Sequence, residues 1–177
     1  MKRIVYYIAS SLDGFIAGEN DDISQFIMHG KGVEKYHSDL KQFKTVMMGR
    51  STYEFGYRYG LNPGEPAYPN MEHYIFSNNL LLDGCCENVR VFPISLETVI
   101  DIKQKSSTDI YLCGGGQLAG WLLENQMIDV LKIKLNPILI GDGTKLFGQS
   151  KVKMAWSLAD KENFDDGMVI LTYTRGA

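Results

Sequence analysis

The sequence is poor in the residues that would build a metal centre or a disulfide framework. Its three histidines, His29, His37 and His73, have no ligand-like spacing to its three cysteines, which argues against a zinc site. Cys85 and Cys86 are adjacent and Cys113 is left over, so no set of cross-links can be built, and a reducing compartment is the fitting one. No window approaches the ~20 apolar residues of a membrane span. The apolar run after Met1-Lys2-Arg3 breaks at Ser10 to Gly14, too early for the core of a signal peptide, so the expected location is the cytoplasm. Positive charge is not in excess either: the formal net charge is −3, which argues against a nucleic-acid partner. There is no Gly-x-Ser-x-Gly elbow and no Gly-Lys-Ser/Thr phosphate loop.

What is present suits one domain. The chain has 177 residues, 45% hydrophobic and 22% charged, near the average for a globular protein. A domain of that size buries roughly 70% of its unfolded surface, so its core needs no cross-link. Residues 3–9 are β-branched and aromatic, a buried strand, and Ser10 to Asp22 reads as a loop rich in turn residues. Helical spacing of Val33, Tyr36, Leu40 and Phe43 precedes a second strand over 44–48 and a short helix over 51–57. Strands are expected at 73–76, 89–92, 110–113 and 130–136. Helices are expected from Ser95, with Glu97 and Thr98 in its first turn, and over 117–123. Two β-rich stretches, 151–159 and 168–175, flank the turn Asp165-Asp166-Gly167. Alternating β and α followed by a hairpin predicts an α/β fold, a mostly parallel sheet with an antiparallel C-terminal hairpin.

Two strand-to-helix junctions carry glycine. In Met48-Gly49-Arg50-Ser51-Thr52, glycine permits close backbone approach, the helix start exposes unpaired amides, and Arg50 offers a planar fork for phosphate. An ordinary helix start with a surface arginine is the competing reading. In Cys113-Gly114-Gly115-Gly116-Gln117, three residues without Cβ leave room for a pyrophosphate against the backbone. A flexible turn is the competing reading there, and the run is not the Rossmann fingerprint, which has a different spacing and belongs to the first βα unit of its fold. Together the two junctions point to a dinucleotide.

Several segments then resemble one superfamily in order: Ser-Leu-Asp-Gly-Phe-Ile-Ala (11–17), Met-Gly-Arg-Ser-Thr-Tyr-Glu (48–54), Ile-Phe-Ser-Asn (75–78), Ile-Tyr-Leu-Cys-Gly-Gly-Gly (110–116) and Leu-Asn-Pro-Ile-Leu-Ile-Gly-Asp-Gly-Thr-Lys-Leu-Phe (135–147). They are similar to the dihydrofolate reductases and, more closely, to the C-terminal reductase domains of riboflavin-biosynthesis proteins. The resemblance implies a three-layer α/β/α fold over residues 1–177, bound NADPH and a homodimer. It also implies hydride transfer to a small heterocyclic substrate of pteridine or pyrimidine type.

Residue by residue, the resemblance sets Gly49, Arg50, Ser51 and Thr52 on the cofactor phosphates, with Arg50, Ser77 and Asn78 near the 2′-phosphate. Gly114, Gly115, Gly116, Gln117 and Leu118 would wrap the pyrophosphate, with the Gly114–Gly115 bond cis. Ala9, Ile16, Ala17 and Gly18 would line the nicotinamide under a lid beginning at Ser10; plain core packing is the alternative for Ala9 and Ile16. The substrate side departs from the family. Val33 stands where folate reductases carry a carboxylate, while Tyr7 and Cys113 replace a lysine and a glutamate typical of the riboflavin branch. Glu34 and His37, one turn apart, could supply an acid–base pair, or simply a solvated helix surface. Asp13 could contact substrate or cap a turn. Three functions stay open: an NADPH-dependent reductase, the 5-amino-6-(5-phosphoribosylamino)uracil reductase of riboflavin biosynthesis, and a non-catalytic dinucleotide-binding protein.

Overall fold

A computed structural model describes residues 1–176. Strand β1 (Ile4–Ser10) leads through the short β2 (Phe15–Ala17) to helix α1 (Lys31–Leu40), and then to β3 (Thr45–Gly49) and α2 (Arg50–Phe55). There follow β4 (Glu72–Phe76), β5 (Val89–Phe92), α3 (Leu96–Lys105), β6 (Ile110–Gly114), α4 (Gly116–Glu124) and β7 (Val130–Leu135). The chain ends in β8 (Thr144–Lys145), β9 (Trp156–Asn163) and β10 (Val169–Arg175). Eight strands form one sheet in the order β5-β4-β3-β6-β1-β7-β10-β9, while β2 pairs with β8 apart from it. Within the sheet, β10 runs antiparallel to both its neighbours, and the other neighbouring pairs are parallel.

Alternation along the strands divides the core in two. Ile4 and Tyr6 of β1, with Ile110 and Leu112 of β6, face Val99 and Ile102 of α3 and Leu118, Ala119 and Leu122 of α4. Val5 and Tyr7, with Val46, Met48 and Tyr111, face Leu40 of α1 and Tyr53 of α2. The result is the expected α/β/α layering. Helix α3 begins where Ser95 Oγ accepts the Thr98 amide at 3.4 Å. Among the described residues, no helix is long and apolar enough to cross a membrane.

Two expectations are corrected. The loop over 10–22 contains β2, whose three residues find a partner in β8 more than a hundred residues away. The first hairpin strand lies at 156–163 rather than 151–159, because the alternation in Lys151-Val152-Lys153-Met154 meets no neighbouring strand and only Trp156 onward pairs with β10. The turn at Asp165-Asp166-Gly167 is where it was expected, with Gly167 at φ 84° and the Phe164 amide donating to Met168 O at 3.0 Å.

Polar side chains reinforce the α1 layer. Asp39, 7% exposed, accepts from Lys132 Nζ at 2.6 Å, Lys35 Nζ at 2.5 Å and the Tyr7 hydroxyl at 3.2 Å. Burial pushes its carboxyl up, but hydrogen bonds and charge from Lys132 and Lys35 outweigh that and hold it below the usual range. A lowered folded-state pKa stabilises fully above the unfolded value of ~3.9, and that contribution fades as pH falls through the folded value. Asp39→Asn should cost about 2–3 kcal/mol in urea denaturation at pH 7, the low end for a broken buried pair because both lysines keep some water. The gap from the parent protein should narrow near pH 3.

Candidate functional site

The site follows from how the helices leave the sheet. Strands β3 and β6 are parallel neighbours, so both end at the same edge. Helix α2 leaves β3 toward the α1 face, whereas α4 leaves β6 toward the opposite one. Neighbouring strands whose connections diverge in this way open a crevice beyond their carboxyl ends, where ligands of α/β sheets bind.

Both helices start on glycine with no side-chain cap: Gly49 precedes α2 and Gly115 precedes α4. The first ladder bond of α4 runs from Ala119 N to Gly115 O at 3.0 Å, so the amides of Gly116, Gln117 and Leu118 precede the ladder and remain free for an anion. The crevice is tightest at Gly115. A Cβ on Gly115 would lie 3.0 Å from Thr52 Oγ1, and one on Gly49 would lie 3.8 Å from the Gly115 amide. The two junctions, sixty-odd residues apart in sequence, thus meet backbone to backbone. The Gly114–Gly115 bond is cis, as the resemblance implied. Such a cradle, narrow and rich in amide donors, fits the phosphates of a dinucleotide.

At the next strand end, Arg50 donates from Nε to Glu54 at 2.8 Å and from a terminal nitrogen to Asn79 Oδ1 at 3.1 Å. Ser77 Oγ also donates to Asn79 Oδ1, at 3.1 Å, and accepts the amides of Asn79 and Leu80. Asn78 Oδ1 accepts the Ile94 amide at 3.2 Å. Arg50 and Ser77 therefore share Asn79, a residue that sequence reading passed over. Its position one place beyond the Ile-Phe-Ser-Asn segment was the available signal.

The nicotinamide-lining set lies along β1 and β2. Ile8 and Ala9 are partly open between the buried Tyr7 and Ser10, while Ala17 is buried and Ile16 half-buried. The segment after Ser10 is tied down rather than hinged. Leu12 N donates to Ile138 O at 2.9 Å and Leu146 N to Gly14 O at 2.9 Å. Asp13 accepts Ser11 Oγ at 2.6 Å, Gly141 N at 2.8 Å and Ile140 N at 3.1 Å. The Ser11 hydroxyl first, and then the two amides, hold its carboxyl below the usual range. Beyond Gly18, Arg58 donates to Asn20 O at 3.1 Å.

Glu34 and His37 are not brought to the crevice. Both are exposed on α1, whose Val33 and Leu40 take the sheet side, and the spacing that puts them one turn apart also turns them both to solvent. The sheet side of α1 instead carries a polar cluster that sequence reading missed. The hydroxyls of Tyr36 and Tyr111 meet at 2.6 Å, the Tyr68 hydroxyl and Cys113 Sγ at 3.4 Å, and the Tyr36 ring stands edge-on to Tyr7 at 4.9 Å. Burial pushes the Cys113 thiol and the hydroxyls of Tyr36, Tyr68 and Tyr111 up, so all four hold their protons at neutral pH. No group of three or more His, Cys, Asp or Glu suited to a metal occurs among the described residues.

Known proteins share this fold. The family described as the RibD C-terminal domain matches residues 2–170. A candidate riboflavin biosynthesis protein from Shewanella sp. PV-4 superposes with a TM-score of 0.83 at 23% identity, covering 100% of both chains. A diaminohydroxyphosphoribosylaminopyrimidine deaminase/5-amino-6-(5-phosphoribosylamino)uracil reductase from Thermotoga maritima superposes at 0.73 and 16% identity, over 99% of this chain and 57% of that one. Dihydrofolate reductase from Enterococcus faecalis, in complex with NADP(H), superposes at 0.66 and 19% identity, over 99% and 97%. The fold is that of dihydrofolate reductase.

Asp13 makes a local prediction. Asp13→Ala should speed amide exchange at Ile140 and Gly141 by roughly tenfold while leaving the sheet amides protected. Hydrogen–deuterium exchange read by NMR checks it.

Proposed function

This chain belongs to the RibD C-terminal domain family, and from that premise we propose that it is an NADPH-dependent reductase acting on a small heterocycle. The observation that carries the reading is the meeting of the two glycine-bearing junctions at the divergence of α2 and α4. Bound NADPH would supply a hydride from its nicotinamide ring. The amides of Gly115, Gly116, Gln117 and Leu118, with the hydroxyls of Ser51 and Thr52, would hold the pyrophosphate, assisted by the dipole of α4. Gly49 and Gly114 would keep the backbone close enough for this. Arg50, Ser77, Asn78 and Asn79 would receive the 2′-phosphate. Ala9, Ile16, Ala17 and Gly18 would flank the reacting ring. The ties from Asp13 make it a positioning residue for that wall, and the wall would exclude water from hydride transfer.

The family and the Thermotoga neighbour favour a pyrimidine over a pteridine, and the finer reading is reduction of 5-amino-6-(5-phosphoribosylamino)uracil. Loss of NADPH absorbance with that compound, and little with dihydrofolate, supports the reading. Turnover with neither would sink it.

NADP specificity is the second expectation. Arg50→Ala should weaken NADPH by about 10- to 100-fold, the loss of a charged contact, and barely change NADH. Calorimetric titrations showing equal affinity of the parent protein for both cofactors would contradict it.

A further inference from the structure

On β7, Lys132 and Lys134 both stand on the α1 face, but they have different surroundings. Lys132 is neutralised by Asp39 at 2.6 Å. The Lys134 ammonium has no carboxylate within ion-pair distance and no hydrogen-bond partner among the described residues; its Nζ lies 4.3 Å from the centroid of the Tyr36 ring. It is in register with Ala9 of β1 on one side and Ile170 of β10 on the other. A half-buried ammonium over an aromatic face gains roughly 0.5–2 kcal/mol from the ring, with no counter-charge to offset its lost hydration. A lysine so placed is costly to the fold unless something else uses it.

Its neighbours suggest what that is. Ala9 and Cys113 are each partly buried near the carboxyl ends of β1 and β6. Lys134 faces the Tyr36 ring of α1, which has the His37 ring 5.3 Å away, stands edge-on to Tyr7 and meets the Tyr111 hydroxyl, with Tyr68 and Cys113 in contact beyond; Asp39 is taken by Lys132, which lies over the Tyr7 ring, and by Lys35, and Glu162 of β9 lies 3.4 Å from Lys35.

We propose that Lys134 is the substrate-side acid of this reductase, a catalytic residue whose ammonium contacts the heteroatom of the bond being reduced and gives it a proton. The inference rests on the reductase reading above. Hydride from NADPH adds to the carbon of a polarised C=N or C=O bond, and the π pair passes to nitrogen or oxygen. Lys134 Nζ delivers a proton there, and the neutral amine regains one from water through its partly exposed side. The dihydronicotinamide is oxidised and the substrate reduced by two electrons, with no other reagent.

Burial alone pushes the Lys134 ammonium below the ordinary lysine range, and no carboxylate opposes it. The acid form is therefore lost, as pH rises, through a value beneath the usual ~10.4, so turnover should fall on that limb earlier than a surface lysine would allow. Folding has the opposite slope. Between the lowered folded value and the unfolded one, the unfolded chain binds more protons, so stability rises with pH.

The test uses Lys134→Met and Lys134→Arg in the full chain, with NADPH and 5-amino-6-(5-phosphoribosylamino)uracil as probes. Lys134→Met should melt no lower than the parent protein and bind NADPH within about twofold, yet lose on the order of 10²- to 10⁴-fold in kcat. Lys134→Arg, charged but unable to release a proton, should restore KM and leave kcat low. With lysines labelled at 13Cε, one NMR signal, absent in Lys134→Met, should titrate below the surface set and shift when the uracil is added to the NADP⁺ complex. An active parent protein with an equally active Lys134→Met variant, or a Lys134 signal that titrates with the surface set and ignores the uracil, overturns the proposal. An inert parent protein is a different result, overturning the reductase reading and this inference with it.

Discussion

The parallel pairing of β3 with β6 constrains nearly everything else in the molecule. Because the two strands end side by side, the helices that follow must start side by side, and because those helices diverge to opposite faces, a gap lies between their first turns. Glycine at Gly49 and Gly115 keeps that gap open: an added Cβ at Gly115 would press on Thr52, and one at Gly49 would come within contact of the Gly115 backbone. The same economy appears on the far side of α4. A Cβ on Gly116 would lie 2.2 Å from Lys145 O, and one on Gly120 would lie 2.4 Å from Phe147 O, so the segment after β8 can close against the helix only because both positions are glycine.

The α1 layer shows how one sheet face can be both core and candidate chemistry. Toward the amino end of α1's strands, Val5, Val46 and Val130 are apolar and buried. Toward the carboxyl ends the same face turns polar, passing through the Asp39 ion-pair cluster to Tyr36, Cys113 and Lys134. Buried charge is rarely kept for stability, since well-packed apolar residues do as well. The paired lysine on β7 belongs to the Asp39 cluster, and the unpaired one is the proposed acid.

The legible part of the sequence was the part written locally. The β-branched run of β1, the Ser95 cap of α3, the Asp165-Asp166-Gly167 turn and the two glycine junctions each depend on neighbours within a few residues, and each lies where periodicity and turn chemistry set it. Features that depend on distant pairing were not legible. The β2–β8 ribbon, the meeting of Asp39 with Lys132 and the tie from Asp13 to Gly141 join residues about ninety to a hundred and thirty positions apart. Glu34 and His37 illustrate a third case, in which helical spacing showed that they share a face but could not show which way that face points. Lys134 had a signal that went unread: a lysine alternating with Ile133 and Leu135 in an otherwise apolar strand faces the same side as Lys132, and a buried face seldom keeps two charges without use.

The most direct test of the central claim is a crystal structure determined with NADPH. The account predicts the pyrophosphate within hydrogen-bonding distance of the Gly115, Gly116 and Gln117 amides, the 2′-phosphate against Arg50, and the nicotinamide beside Ala9. Phosphates bound away from the crevice between β3 and β6, or no cofactor in the density at saturating NADPH, would contradict it.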